Sequence, residues 1–257
     1  DKQYYFGENG VAVGWQVIDN KKYYFKEDGS LLTGWNNING KKYYFNENGE
    51  LAVGWTEIEE KKYYFNEEGL FLTGINVIDD KTYCFDESGA EVFGWQTVKG
   101  KKYYFNEDGI LLNGLNNIDD KICYFDEDGS VIRGWKSVED NIYYFDSEGE
   151  ALTGWQTIED KNYYFDEDGK RAEGLREIDG DIYYFNENGE TLIEAWYETS
   201  DKKYYFNEEG KAVKEWQVIN NKKYYFNSYG VDLTGWQTID NKKYYFDENG
   251  INVIGIK

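Results

Sequence analysis

Apolar and polar positions alternate along this chain in short bursts, and the bursts recur. Residues 15–25 read Trp-Gln-Val-Ile-Asp-Asn-Lys-Lys-Tyr-Tyr-Phe: two β-prone runs on either side of an Asp-Asn pair. Other copies place Asn39-Gly40, Lys99-Gly100, Asp179-Gly180 or Asp240-Asn241 at the same point. Asn, Asp and Gly tolerate the positive φ that a tight hairpin turn requires, so each copy predicts a β-hairpin. Aromatic triplets, β-branched residues and closely spaced glycines make no stripe of period 3.6, which excludes helix. A polar stretch such as Asn46-Glu47-Asn48-Gly49 follows and predicts a second turn, with its glycine in the left-handed region. A short apolar segment, Leu51-Ala52-Val53 in that copy, leads to the next Gly-Trp.

The unit is about 20 residues long, and its aromatic core occurs thirteen times, from Tyr4-Tyr5-Phe6 to Tyr244-Tyr245-Phe246. A fixed period of this size predicts an all-β array of stacked hairpins, a β-solenoid, across 1–257. One hairpin alone is marginal in water, so neighbours must share the Tyr, Phe, Ile and Leu surface. The period stretches to 21 between Gly189 and Gly210, and the glycine before Trp is lost at Ala195-Trp196 and again at Glu215-Trp216. Those glycines elsewhere imply close backbone approach or special dihedrals, so residues 190–216 are expected to change path. Trp gives way to Ile75, Leu115, Leu175 and Ile256 in four units.

Composition narrows the function. The net charge of −22 argues against nucleic acid, whose phosphates need clustered Lys and Arg, and against an anionic membrane surface. No apolar run is long enough to span a membrane, and none reads as a signal peptide. The chain opens inside a unit, at Asp1-Lys2-Gln3-Tyr4, and is expected to be a fragment of a larger, secreted or extracellular protein, arranged as a monomeric array. Cys84 and Cys123 sit two repeats apart and one position out of phase, so they are expected to face different ways and not to pair.

With no histidine, neither Ser-His nor Cys-His chemistry is possible. Acid pairs such as Asp126-Glu127-Asp128 recur in exposed turns rather than at a defined separation in a cleft, which argues against glycoside hydrolysis. The turns lack the ligand spacing of calcium loops, and no nucleotide loop or zinc spacing occurs. No cofactor or metal is expected. The remaining chemistry is aromatic. Trp and Tyr on a rigid β scaffold stack on sugar rings or cage a cation. The candidate ligand contacts are Trp15, Trp35, Trp55, Trp95, Trp135, Trp155, Trp196, Trp216 and Trp236, with the first tyrosine of each pair: Tyr23, Tyr43, Tyr63, Tyr103, Tyr143, Tyr163, Tyr204 and Tyr224. Core and ligand platform both remain open as readings of the Trp positions. The residue before the tyrosine pair is lysine at 22, 42, 62, 102, 203, 223 and 243. A primary ammonium beside an aromatic cage repels choline, which favours sugar or protein ligands.

Segments such as Thr153-Gly154-Trp155-Gln156-Thr157-Ile158 and Thr234-Gly235-Trp236-Gln237-Thr238-Ile239-Asp240-Asn241-Lys242-Lys243-Tyr244-Tyr245-Phe246 resemble cell-wall/choline-binding-type repeats. Within these they look most like the short repeats of the C-terminal repetitive domain of large clostridial glucosylating toxins. The resemblance covers essentially the whole chain. It implies a left-handed solenoid with about three repeats per turn, attachment to a host cell-surface glycan or receptor protein, and no catalysis in this region. The alternative it implies is an anchor on a bacterial cell-wall polymer. The long repeats of the toxins, with a Gly-Phe-Glu-Tyr-Phe-type segment, are missing, and so is the sugar site that lies beside them. Choline-binding repeats favour Trp-Tyr-Tyr followed later by Met; here the first is mostly Lys-Tyr-Tyr and Met is absent, although the Gly-Trp positions match the family's cage Trp.

Overall fold

The computed structural model describes residues 3–7 and 10–253. All regular structure among them is β, as thirteen two-stranded antiparallel sheets. Gly34–Ile38 and Lys41–Phe45 are typical: Trp35 lies opposite Tyr44, Asn36 opposite Tyr43 and Ile38 opposite Lys41. Asn39 and Gly40 close the hairpin at φ 51° and 79°, the two consecutive left-handed residues of a type I′ turn. Even Glu59-Glu60 takes this geometry, at 50° and 63°, because the strands on either side demand it.

Alternation gives each hairpin two unlike faces. Ile38, Tyr43 and Phe45 lie on one face and are buried, Phe45 completely. Trp35 and Tyr44 lie on the other and pack over Ile58, Tyr63 and Phe65 of the next hairpin. The Trp–Tyr face of one repeat therefore covers the Ile–Tyr–Phe face of the following one. Each phenylalanine buried this way contributes roughly 1.5–3 kcal/mol, repeat after repeat, with no central core.

The linker ties neighbours together. Asn46 Oδ1 accepts hydrogen bonds from the Asn48 and Glu50 backbone N–H groups, which fixes the turn. Leu51 N–H then donates to the Lys22 carbonyl of the preceding hairpin at 2.8 Å, and Ala52 N–H to Tyr44 of its own at 2.9 Å. Gly49 stands at φ 76°, and a Cβ there would run into the Leu31 side chain of the preceding linker. Only glycine meets both demands. The glycine before Trp is different. Gly34 has φ 70°, with open space where a Cβ would go.

That difference explains the irregular stretch. Glu215 replaces this glycine and keeps its conformation, at φ 62°, so the path there does not change. At Ala195 the extra linker residue moves the left-handed position back to Glu194, φ 46°, whose N–H donates to Asn207 O. The path change expected over 190–216 is thus confined to the first of the two losses. Ile256 lies outside the described residues.

The described residues form two compact units. One is built on residues up to Asn116 together with Tyr124–Val131, the other on Asn117–Cys123 and residues from Ile132 onward. Cys84 and Cys123 are both buried as thiols, and burial pushes the Cys84 thiol up from its ordinary value.

Candidate functional site: an aromatic corner between hairpins

The repeated feature able to meet a ligand is the corner where one hairpin's Trp meets the next hairpin. Trp15 has its ring centroid 5.2 Å from Tyr24 across its own hairpin, 5.1 Å from Tyr43 and 5.9 Å from Phe45 of the following one. The two tyrosines stand edge-on to the indole, the arrangement that its quadrupole favours. The corner recurs at Trp35, Trp55, Trp135, Trp155, Trp196 and Trp216. At Trp95 the described walls are Tyr104 and Phe125, and at Trp236 Tyr245 alone. Packing and exposure coexist at the Trp positions. Trp55, Trp135 and Trp155 each pack on three rings yet remain 40% exposed.

The first tyrosines of the pairs belong to the preceding Trp, not to their own. Tyr43, Tyr63, Tyr163 and Tyr224 wall the corners of Trp15, Trp35, Trp135 and Trp196. All four are buried, and burial pushes the phenols of Tyr63, Tyr143 and Tyr224 up. Tyr103 and Tyr204 are buried in hydrophobic clusters beside Ile75 and Leu175, and Tyr143 stacks on Phe145. Tyr23 is half-buried. The wall that sequence reasoning missed is the second tyrosine, such as Tyr24, Tyr44, Tyr144 or Tyr164. Its signal was available: a turn centred on residues 19–20 sets Trp15 opposite Tyr24.

Two corners without Trp are built differently. Ile75 lies opposite Cys84, so both members of the Trp–Tyr pair are lost together. Beside Leu175, Tyr197 comes in from the next hairpin and stacks on Tyr184 at 3.8 Å and 25°.

The two lysines ahead of the tyrosine pair have different work. The first pairs with an acid of the next linker: Lys21 with Glu50 at 2.5 Å, Lys121 with Glu150 at 2.5 Å, and likewise Lys101 with Asp128 and Lys161 with Glu190. The second lies diagonally across the hairpin from Trp. Lys42 Nζ is 4.2 Å from the Trp35 ring centroid, Lys102 4.3 Å from Trp95, Lys203 4.7 Å from Trp196 and Lys223 4.1 Å from Trp216. These are cation–π contacts. Lys22 instead donates to the Glu67 carbonyl. Diagonal to Trp135 and Trp155 the position holds Ile142 and Asn162.

A model of the choline-binding repeat matches residues 12–53, 32–69, 52–93, 112–152, 152–196 and 233–256, which is most of the chain. The chain belongs to the choline-binding repeat family. A cell wall binding repeat model matches 94–111, 195–212 and 214–231, the second of them within the irregular stretch. Among solved structures, choline binding protein F from Streptococcus pneumoniae is 28% identical, with 93% of this chain and 98% of that one covered and a TM-score of 0.68. Its structure in the presence of a peptidoglycan analogue, a tetrasaccharide-pentapeptide, aligns with a TM-score of 0.69 at the same identity and coverage. The modular autolysin LytC from the same organism shares the fold, at 21% identity and a TM-score of 0.58; the match covers 98% of this chain and 51% of LytC. No curated protein sequence matches the chain. As an array of choline-binding repeats, the chain is a binding module and not a catalyst.

Proposed function

We propose that this chain is a wall-anchoring module that holds a choline-bearing bacterial cell-wall polymer at the corners of Trp135 and Trp155. The observation that carries this reading is the residue facing those indoles. Ile142 and Asn162 leave the Trp135–Tyr144–Tyr163 and Trp155–Tyr164–Tyr183 corners without a lysine diagonal to the Trp, while Lys42, Lys102, Lys203 and Lys223 occupy the equivalent place elsewhere. A quaternary ammonium needs such a π surface and no hydrogen-bond acceptor. The lysines that argued against choline therefore speak for four corners, not for the array.

The solved relative with a peptidoglycan analogue supports a wall partner and, with it, an extracellular setting. The likeness to pneumococcal wall-binding proteins favours this anchor over a host-receptor module, which the toxin resemblance suggested. The test is calorimetric titration with choline and sedimentation with choline-bearing walls. Trp135→Ala with Trp155→Ala is expected to abolish both interactions, and Trp35→Ala with Trp216→Ala to leave choline binding intact. Equal loss in both double variants would refute the assignment of the open corners.

A further inference from the structure

The Trp55 corner departs from the common pattern. At Trp55 a cleft of about 420 Å3 opens, lined by Trp55, Glu57, Lys62, Tyr83, Glu91 and Asp108 among others. Glu91 stands where neighbouring linkers carry Leu31, Leu51 and Leu111, at the position whose backbone N–H donates to the preceding hairpin, here to Lys62 O at 2.8 Å. It is 9% exposed, and its Oε2 is buried with no hydrogen-bond partner. Burial pushes its carboxyl up and the Lys62 charge pulls it back. An acceptor of this kind is costly to leave unmade. Three carboxylates and one ammonium line the cleft, for a formal charge of −3 + 1 = −2. Tyr83 walls Trp55 at 4.9 Å. The cleft therefore offers an aromatic face, excess negative charge and a buried acceptor that lacks a donor.

A related corner, with a carboxylate at the same linker position, occurs elsewhere in the chain. In the other unit Asp232 holds the position of Glu91, its N–H bonded to Lys203 O, with an unpartnered buried Oδ1. There the Lys203 ammonium lies over Trp196 and its charge acts on Asp232. A primary ammonium, an indole face and a buried carboxylate are assembled at that corner from one chain.

We propose that the Trp55–Tyr83–Glu91 cleft binds a primary ammonium group of the wall polymer, with the indole facing the cation and Glu91 Oε2 accepting an N–H. This rests on the wall-polymer reading above, but it separates two ligand chemistries. Choline has no N–H to give, so it leaves Glu91 unpartnered and belongs at the Trp135 and Trp155 corners. A primary ammonium satisfies both the face and the acceptor.

Ethanolamine and choline differ by three N-methyl groups and make the decisive pair of probes on the whole chain, read by calorimetry and ligand-observed NMR. Glu91→Leu restores the residue of neighbouring linkers, so the variant keeps the fold. It is expected to weaken ethanolamine binding by about tenfold or more and to leave choline binding unchanged. Glu91→Gln, which keeps the shape, is expected to weaken it as well. Ethanolamine binding that survives Glu91→Leu, or that choline displaces completely, overturns the proposal. So does binding that appears only in Lys62→Ala, which would mean that Lys62 fills the cleft. Failure of the wall reading shows separately, as loss of wall retention by the unsubstituted chain.

Discussion

Trp15 and its equivalents pack part of the indole into a hydrophobic seam and keep part of it in solvent, and at Trp35, Trp95, Trp196 and Trp216 the lysine diagonal to the ring lies over it. Other single residues set stability rather than binding. Asp232 replaces the usual apolar side chain beneath the glycine of the following linker, where burial holds its carboxyl up at about 6 against an ordinary 3.8. Lys203 pulls the other way, while Asp247 and Glu198 add to the rise. Between those two values the folded chain binds more protons than the unfolded one. The penalty is therefore absent below about pH 4 and complete above about pH 6, on the order of 2–3 kcal/mol. Asp232→Asn should raise the urea midpoint at pH 7.5 and leave it unchanged at pH 4. A gain of equal size at both pH values would show that burial of charge is not the cause.

The hairpin and its linker form the repeating element, and this level was the most legible in the sequence. Asp19-Asn20, Asn39-Gly40 and their equivalents announced the type I′ turns because few residue pairs tolerate two positive φ values in succession. The turn glycines were legible for the same reason. What the sequence obscured was the partner of each side chain. A period of 20 looks the same whether Trp35 packs on its own tyrosines or on the next pair, and only the stacking of unlike faces puts it on both Tyr44 and Tyr63. The two glycine losses also looked equivalent, although only Ala195 coincides with an added residue that shifts the backbone. Backbone and ring contacts that join mainly adjacent repeats predict modular behaviour. Deleting residues 46–65 brings residue 71 to the Lys22 carbonyl in place of Leu51, so the shortened chain should fold. Its urea m-value should fall by roughly a tenth. Deleting residues 46–55 removes half of that register and should abolish the cooperative transition seen by circular dichroism.

At the scale of the molecule, one unit holds both corners proposed for choline, Trp135 and Trp155, on consecutive hairpins. A polymer that engages both gains avidity without any new contact, on the order of a hundredfold over one corner. Trp135→Ala alone should therefore reduce wall retention far more than it reduces the free-choline affinity of the remaining corner. Elution from walls by rising choline concentration measures this directly, and equal reductions would mean that the corners act one at a time. The net charge of −22 adds a background that discourages nucleic acid and anionic surfaces, so retention depends on the corners rather than on general adhesion.

Lys42, Lys102, Lys203 and Lys223 have one more consequence. Each is a tethered competitor, held at high effective concentration against the face that a ligand would need. Residues as different as Ile142 and Asn162 occupy the same place without disturbing the hairpin. One substitution at that position can therefore switch a corner on or off while the fold stays as it is, and a lineage carrying this array could change its grip on the wall one repeat at a time.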